Sequence, residues 1–225
     1  MGGRMKKFSF FLAWVLALAF LCSTGHAQFL GQLNTAKTFE SGEYNVGAYL
    51  GAYEDAIALF GQFRAGISDY LDFGLKLGVL DFQWNHPVSG WEQSDAGVIF
   101  GGDLKYRLLE TELRDPLDLS LGMLFEYSSP KEDWNSFSLG ASLIVSKDFN
   151  LQSKNTISPY GRLNIRGERA EWEHPWWKGE HSDTDLEAGF TFGADLQIKE
   201  AWHFVGELQV DEFFGFLAGI SYYIY

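Results

Sequence analysis

The sequence predicts an all-β fold, a closed antiparallel up-and-down transmembrane β-barrel of about ten strands, with eight and twelve as the neighbouring even counts. Three observations predict it. Between residues 185 and 199 the chain alternates without a break: Leu186, Ala188, Phe190, Phe192, Ala194, Leu196 and Ile198 share one face, and Asp185, Glu187, Gly189, Thr191, Gly193, Asp195, Gln197 and Lys199 share the other. A period of two with a wholly apolar side fits a strand that meets lipid on one face and water on the other. After the first 27 residues no apolar run is long enough for a spanning helix, while aromatic residues make up 17% of the chain, as the girdles of a barrel require.

The elements are taken in chain order. Residues 28–42 read as a short periplasmic lead-in. Strand one, 43–54, carries Tyr44, Val46, Ala48, Leu50 and Ala52 on its apolar face. Strand two, 56–69, turns Ile57, Leu59, Phe63 and Ile67 outward and Gln62, Arg64 and Ser68 inward. Strand three, 71–82, sets Leu71, Phe73, Leu75, Leu77 and Val79 against Asp72 and Lys76; strand four, 96–109, sets Val98, Phe100, Leu104, Tyr106 and Leu108 against Asp103, Lys105 and Arg107. Strand five, 117–129, opposes Leu117, Leu119, Leu121, Met123, Phe125 and Tyr127 to Asp118, Ser120 and Glu126. Strand six, 136–149, and strand seven, 156–172, continue the pattern, the latter with Leu163 and Ile165 outward and Arg162, Asn164, Arg166 and Glu168 inward. Strand eight is 185–199. Strand nine, 201–210, has Trp202, Phe204, Leu208 and Val210 outward with Glu207 and Gln209 inward, and strand ten is 214–225. The two longest connections, 83–95 and 173–184, fall on the external side of this scheme, and the tight ones at Asp69-Tyr70 and Lys199-Glu200 fall on the periplasmic side.

Residues 1–27 read as a cleaved secretory signal: Arg4, Lys6 and Lys7 form a basic start, an apolar run ends at Cys22, and Gly25 and Ala27 place small residues before Gln28. Residues 28–225 form one barrel domain. Cys22 is the only cysteine, so a processed chain has no disulfide or cysteine-based site. The formal net charge of −13 becomes more negative still without the signal, which argues against nucleic acid as a partner.

A signal, strands of this length and a terminal aromatic residue, Tyr225, together resemble bacterial outer-membrane β-barrel proteins of the small porin-like class. The resemblance implies a Gram-negative outer membrane, contact with its lipid and lipopolysaccharide, and recognition of the last strand by the barrel-assembly machinery. It implies a porin-like role, passing or binding small solutes. The alternative is a structural or surface-recognition barrel whose Trp-rich external loops bind glycan or lipopolysaccharide. Tyr225 is out of phase with the apolar face of Phe214, Phe216, Ala218, Ile220, Tyr222 and Ile224.

The candidate functional residues are the charges of the inward faces: Arg64, Lys76, Asp103, Lys105, Arg107, Glu126, Arg162, Arg166, Glu168, Glu187, Asp195 and Glu207. Such charges must be paired or hydrated, either as an ion-pair network that fills the lumen or as the lining of a narrow path. Inward glycines such as Gly66, Gly74, Gly122 and Gly189 leave space beside them. An echo, Trp84-Asn85-His86-Pro87 and Trp172-Glu173-His174-Pro175, opens both long connections. With His181, Trp176 and Trp177 it makes a candidate external site. Imidazole and carboxylate suit a transition metal, yet no tight ligand spacing is present, so no metal and no cofactor is expected. His181-Ser182-Asp183 is the nearest approach to a hydrolase set, and no catalytic motif accompanies it.

Overall fold

The computed structural model describes residues 31–54, 56–85, 92–113, 115–131, 134–151, 154–174, 177–211 and 214–224. The expected signal, His86, Trp176 and Tyr225 lie outside the described residues. Among the described residues the strands are β1 (Tyr44–Tyr53), β2 (Ala56–Ser68), β3 (Leu71–Asn85), β4 (Glu92–Leu109), β5 (Asp118–Lys131), β6 (Trp134–Ser146), a two-residue β7 (Phe149–Asn150), β8 (Thr156–His174), β9 (Trp177–Ile198), β10 (Trp202–Val210) and β11 (Phe214–Ile224). Every long strand pairs antiparallel with its sequence neighbours. β1 closes on β11, and β6 closes on β8 past the short β7, so ten strands form a ring. A ring has no free edge and satisfies its own backbone groups in lipid.

The apolar residues of the alternation point outward. On β3, Leu75, Leu77 and Val79 are 43, 66 and 54% exposed, while Asp72 and Lys76 on the opposite face are buried. Tyr44, Tyr70, Tyr106, Trp202 and Tyr222 ring the end that carries Tyr44 and Ile224, here the near end, as an aromatic girdle does. At the far end of β8 and β9 the belt stops: above Gly167 and Leu186 the outer surface carries the Arg169–Glu171 ion pair at 2.9 Å and exposed Ser182 and Thr184.

Three features differ from the sequence reading. The described residues of the stretches 83–95 and 173–184 are strand: β3 and β4 pair out to Asn85↔Glu92, and β8 and β9 pair out to His174↔Trp177. Once a hairpin is zipped, each further pair satisfies its own backbone groups, so the ladder continues beyond the bilayer without apolar side chains. The wall is therefore uneven. β9 has 22 residues and β10 only 9, with Val210 opposite Phe190, so residues 177–189 rise beside no β10 partner. The inner face is also not uniformly polar: Ala58, Phe60, Leu80, Ile99, Val205 and Leu217 form a buried apolar cluster within it.

The third difference concerns the lead-in. Residues 31–40 are not a periplasmic tether. Gln32, Leu33, Ala36 and Phe39 are 0, 2, 0 and 5% exposed, enclosed by the barrel wall. The geometry of a ten-strand ring accounts for the fit. Strands ~4.8 Å apart and tilted ~40° give a backbone radius of about 10 Å. A side-chain layer takes about 5 Å of that, half the spacing between packed sheets, which leaves a bore the width of one extended chain.

Candidate functional site: a plugged, charged lumen

The luminal segment enters at the near end and climbs inward. Ser41 bridges to Gly66, and the Gly66 amide donates to the Glu43 carbonyl at 3.1 Å. A Cβ on Gly66 would stand 2.5 to 2.6 Å from atoms of the Glu40 and Phe39 backbone, so glycine here is what lets the segment turn in. The Phe39 amide donates to Asp72 Oδ2 at 3.1 Å, and the Phe39 ring packs 4.8 Å from Tyr223, which stacks in turn on His203 at 3.8 Å. Lys37 pairs with Asp148 at 2.7 Å and Glu112 at 3.0 Å at the rim. Burial works to lower the Lys37 pKa, but the two carboxylates outweigh it and hold it above the ordinary lysine value.

Deeper in, the wall grips the segment's backbone. Lys105 donates to the carbonyls of Thr35, at 3.0 Å, and of Lys37; the Ala36 amide donates to Ser146 Oγ at 3.1 Å. With its amide oxygen facing Arg64, Asn34 accepts from the guanidinium at 2.7 to 3.2 Å. Gln32 is held from three sides. Its Nε2 donates to Asp103 at 3.1 Å, its Oε1 accepts from Ser142 at 2.7 Å, and its carbonyl accepts from Gln62 at 2.9 Å. Gly122 makes room for it, since a Cβ there would lie 2.7 Å from Gln32 Nε2. Lys76 donates to the Gly31 carbonyl. Leu33 is the apolar peg, packed into the inward cluster of Tyr49, Phe60 and Ile99.

The twelve predicted charges sort into groups by position. Arg64 and Lys105 meet Asp72 and Asp103 in one buried quartet: Arg64 pairs with both carboxylates and Lys105 reaches Asp72 at 3.3 Å. Lys76 pairs with Glu126 at 3.2 Å. Arg162 pairs with Glu207 at 3.0 Å, and Tyr160 donates to the same carboxylate at 2.7 Å. Asp195 holds His203 Nδ1 at 2.9 Å. Arg107 sits apart at the near rim, 2.6 Å from Glu110 and over the Tyr70 ring. Arg166, Glu168 and Glu187 lie at the far mouth, where Arg166 pairs with Asp211 at 3.2 Å and Glu168 at 3.6 Å.

The external candidates fall only partly among the described residues. His174, Trp177 and His181 are residues of β8 and β9, in the hairpin that replaces the loop, and His86 and Trp176 lie outside the described residues. His181, Ser182 and Asp183 run along one strand, which separates consecutive residues across the sheet. Sequence reasoning missed the whole luminal segment, together with Asp211 and His203. Asp211 lies one residue past the end of β10, where the alternation stops giving a direction.

No protein-family model and no curated protein matches the sequence. Among solved structures the chain is similar to the β domain of the Bordetella autotransporter BrkA, at 14% identity and a TM-score of 0.46 over 80% of this chain and 97% of that one. It is similar to the KdgM porin in complex with disordered oligogalacturonate, at 9% identity and a TM-score of 0.38 over 79% and 98% of the two chains. It is also similar to Ail, the attachment invasion locus protein of Yersinia pestis, in complex with the heparin analogue sucrose octasulfate, at 9% identity and a TM-score of 0.34 over 82% and 99%. The chain is a closed ten-strand antiparallel barrel with an apolar outer belt and a charged interior, the architecture of bacterial outer-membrane β-barrels.

Proposed function

We propose that this chain is a plugged porin-like channel of a Gram-negative outer membrane, in which residues 31–40 occlude the lumen and small solutes pass when they leave it. The near end, which carries both ends of the barrel, faces the periplasm in this reading. The C-terminal strand Phe214–Ile224, apolar on its outer face, is the segment offered to the assembly machinery. One observation carries the reading. Beside the apolar contacts of Leu33 and Phe39, the wall holds the segment through hydrogen bonds, and the groups it covers (Arg64, Asp72, Asp103 and Lys105) are ones that water can solvate. Withdrawal of the segment leaves a hydrated path, whereas withdrawal from an apolar core would leave a dry void.

Planar-bilayer recording tests it. The intact protein is expected to stay closed with rare openings, and a variant lacking residues 31–40 is expected to conduct steadily. A deletion variant that still shows the heat-modifiable mobility of a folded barrel, yet is silent at all voltages, overturns the reading. A second reading, surface recognition of glycan or lipopolysaccharide, is favoured by the β8–β9 hairpin, which rises past the belt. Shortening that hairpin then abolishes retention on a lipopolysaccharide matrix and leaves conduction by the deletion variant intact.

A further inference from the structure

The far ends of the strands are not level, and the mismatch leaves one strand edge open. β10 stops at Val210, opposite Phe190, and β9 runs on without it to Trp177. Between His181 and Glu187 the other side of β9 is fully backed: β8 pairs with it at every step, and β6 pairs with β8 as far as Trp134↔Trp172, the level of His181. The stretch is thus the edge of a continuous sheet, and among the described residues no strand pairs with it on the open side. Its register carries no shift, and His181-Ser182-Asp183-Thr184-Asp185-Leu186-Glu187 holds no proline. The Thr184 amide shows which groups face the gap. It donates to Asp183 Oδ1 of its own neighbour at 2.9 Å, an exposed bond, rather than to a strand. By the period of two, Ser182 and Leu186 turn their backbone groups to the same side.

Such an edge is a template for another strand, and proteins that expose one guard it. Here the guard is charge, and it selects the partner. Asp183 is exposed and Asp185 half-buried on one face of β9; across the ladder they meet Ala170 and Glu168, not a cation. A second copy laid antiparallel on this edge would stand inverted in the bilayer. It would also set acidic face beside acidic face, and like charges directly opposite repel. A strand with Lys or Arg at alternate positions meets the carboxylates instead. The other face of β9 offers uncharged Ser182 and Thr184 and then Leu186, 75% exposed at the top of the apolar belt. We infer that the β9 edge from Ser182 to Leu186 docks an extended basic peptide, which adds an antiparallel strand above β10. Main-chain hydrogen bonds supply the grip and alternate cations the selectivity. A row of N–H and C=O groups favours a peptide over a glycan, which has no matching ladder.

The probe is acetylated Val-Lys-Thr-Lys-Thr, labelled with fluorescein at its C-terminus, whose two lysines fall opposite Asp185 and Asp183. Fluorescence anisotropy reads its binding to the intact protein in an uncharged maltoside detergent. The peptide is expected to bind, and its Val-Glu-Thr-Glu-Thr counterpart is not. N-methylation separates strand addition from charge attraction. Methyl groups on the two Thr amides, which face β9, are expected to weaken binding about tenfold; on the Lys amides, which face away, the loss is less than about twofold. Thr184→Pro removes the central donor of the edge, leaves the β8 ladder whole and is expected to weaken binding about tenfold. If it fails to fold, as judged by heat-modifiable mobility, Asp183→Asn with Asp185→Asn is expected to weaken binding about fivefold. Absence of Lys-peptide binding overturns the inference, and retention of the same protein on lipopolysaccharide then assigns the hairpin to glycan. Equal loss on methylating either set of amides, or a folded variant that binds as the intact protein does, overturns it as well. The edge is open whether or not the lumen conducts, so this test and the bilayer recording fail separately.

Discussion

Gln32→Ala is the sharpest single test of the plug. The side chain donates to the Asp103 carboxylate at 3.1 Å and accepts from Ser142 Oγ at 2.7 Å, both inside the barrel. A hydrogen bond to a charged partner contributes about 1.5–3 kcal/mol and a neutral one about 0.5–1.5. Both vanish in the variant, while Asp103 keeps Arg64, so the segment loses roughly 2–4 kcal/mol of hold and the barrel keeps its ion quartet. At about 1.4 kcal/mol per decade, the displaced population rises roughly 30- to 700-fold. The assay places a thiol at Ala36, fully buried beside Ser146, in a Cys22→Ala background, and follows its rate of maleimide modification in detergent. If the segment opens and recloses faster than it is modified, the rate scales with the displaced fraction. Equal rates with and without Gln32→Ala refute the argument. So does a position-36 thiol that reacts, in the otherwise native chain, as fast as in an unfolded peptide.

The remaining predictions concern the wall. Arg64→Met strands Asp72 and Asp103 without their guanidinium and is expected to cost about 3–5 kcal/mol in urea unfolding, most of which returns when Asp72→Asn and Asp103→Asn are added. Leu75→Arg puts a charge into the lipid-facing belt and is expected to cost about 2–4 kcal/mol in liposomes, whereas Asp183→Arg, beyond the belt, shifts stability by less than about 0.5. Lys199 and Glu200 both hold positive φ, 52° and 70°, in the three-residue β9–β10 connection 199–201. Replacing them by Asn and Gly supplies residues that take positive φ at lower cost and is expected to raise stability by about 1–2 kcal/mol, read as a later urea midpoint at unchanged slope.

The legible parts of the sequence are the ones lipid constrains. Every second residue of a spanning strand must be apolar, so β9 from Leu186 to Ile198 reads as alternation, and the inward positions of Arg162, Asn164 and Arg166 on β8 read with it. Backbone pairing makes no such demand on side chains. The ladder between Glu173 and Asp183 therefore extends through residues that read as a loop. The luminal segment is the clearest omission. Residues 31–40 show no period, because one chain inside a ring meets a different wall strand at each step: Gln62 of β2, Asp103 of β4, Ser142 of β6. Nothing local in Gln32-Leu33-Asn34 encodes that, and only the closed barrel supplies the partners. The glycines gave a partial clue. Gly66 and Gly122 read as space without an occupant, and the occupants prove to be the Phe39–Glu40 backbone and Gln32.

The distribution of charge along the bore divides the lumen into two regions. In the near half every buried cation among the described residues has a carboxylate: Arg64 and Lys105 with Asp72 and Asp103, Lys76 with Glu126, Arg162 with Glu207. Yet Lys105 and Lys76 each spend donors on carbonyls of the luminal segment, and Asp72 and Asp103 spend acceptors on its amides. These groups are thus neutral as a set but not saturated without the segment. Water can take its place, which makes the segment displaceable and its return favourable. A lumen meant only to be filled would do better with apolar side chains, since a well-packed apolar replacement for a buried ion pair is often neutral or stabilising. At the far mouth, among the described residues, four carboxylates (Glu168, Asp185, Glu187 and Asp211) lie about one guanidinium, Arg166, so the two regions differ in their balance of charge.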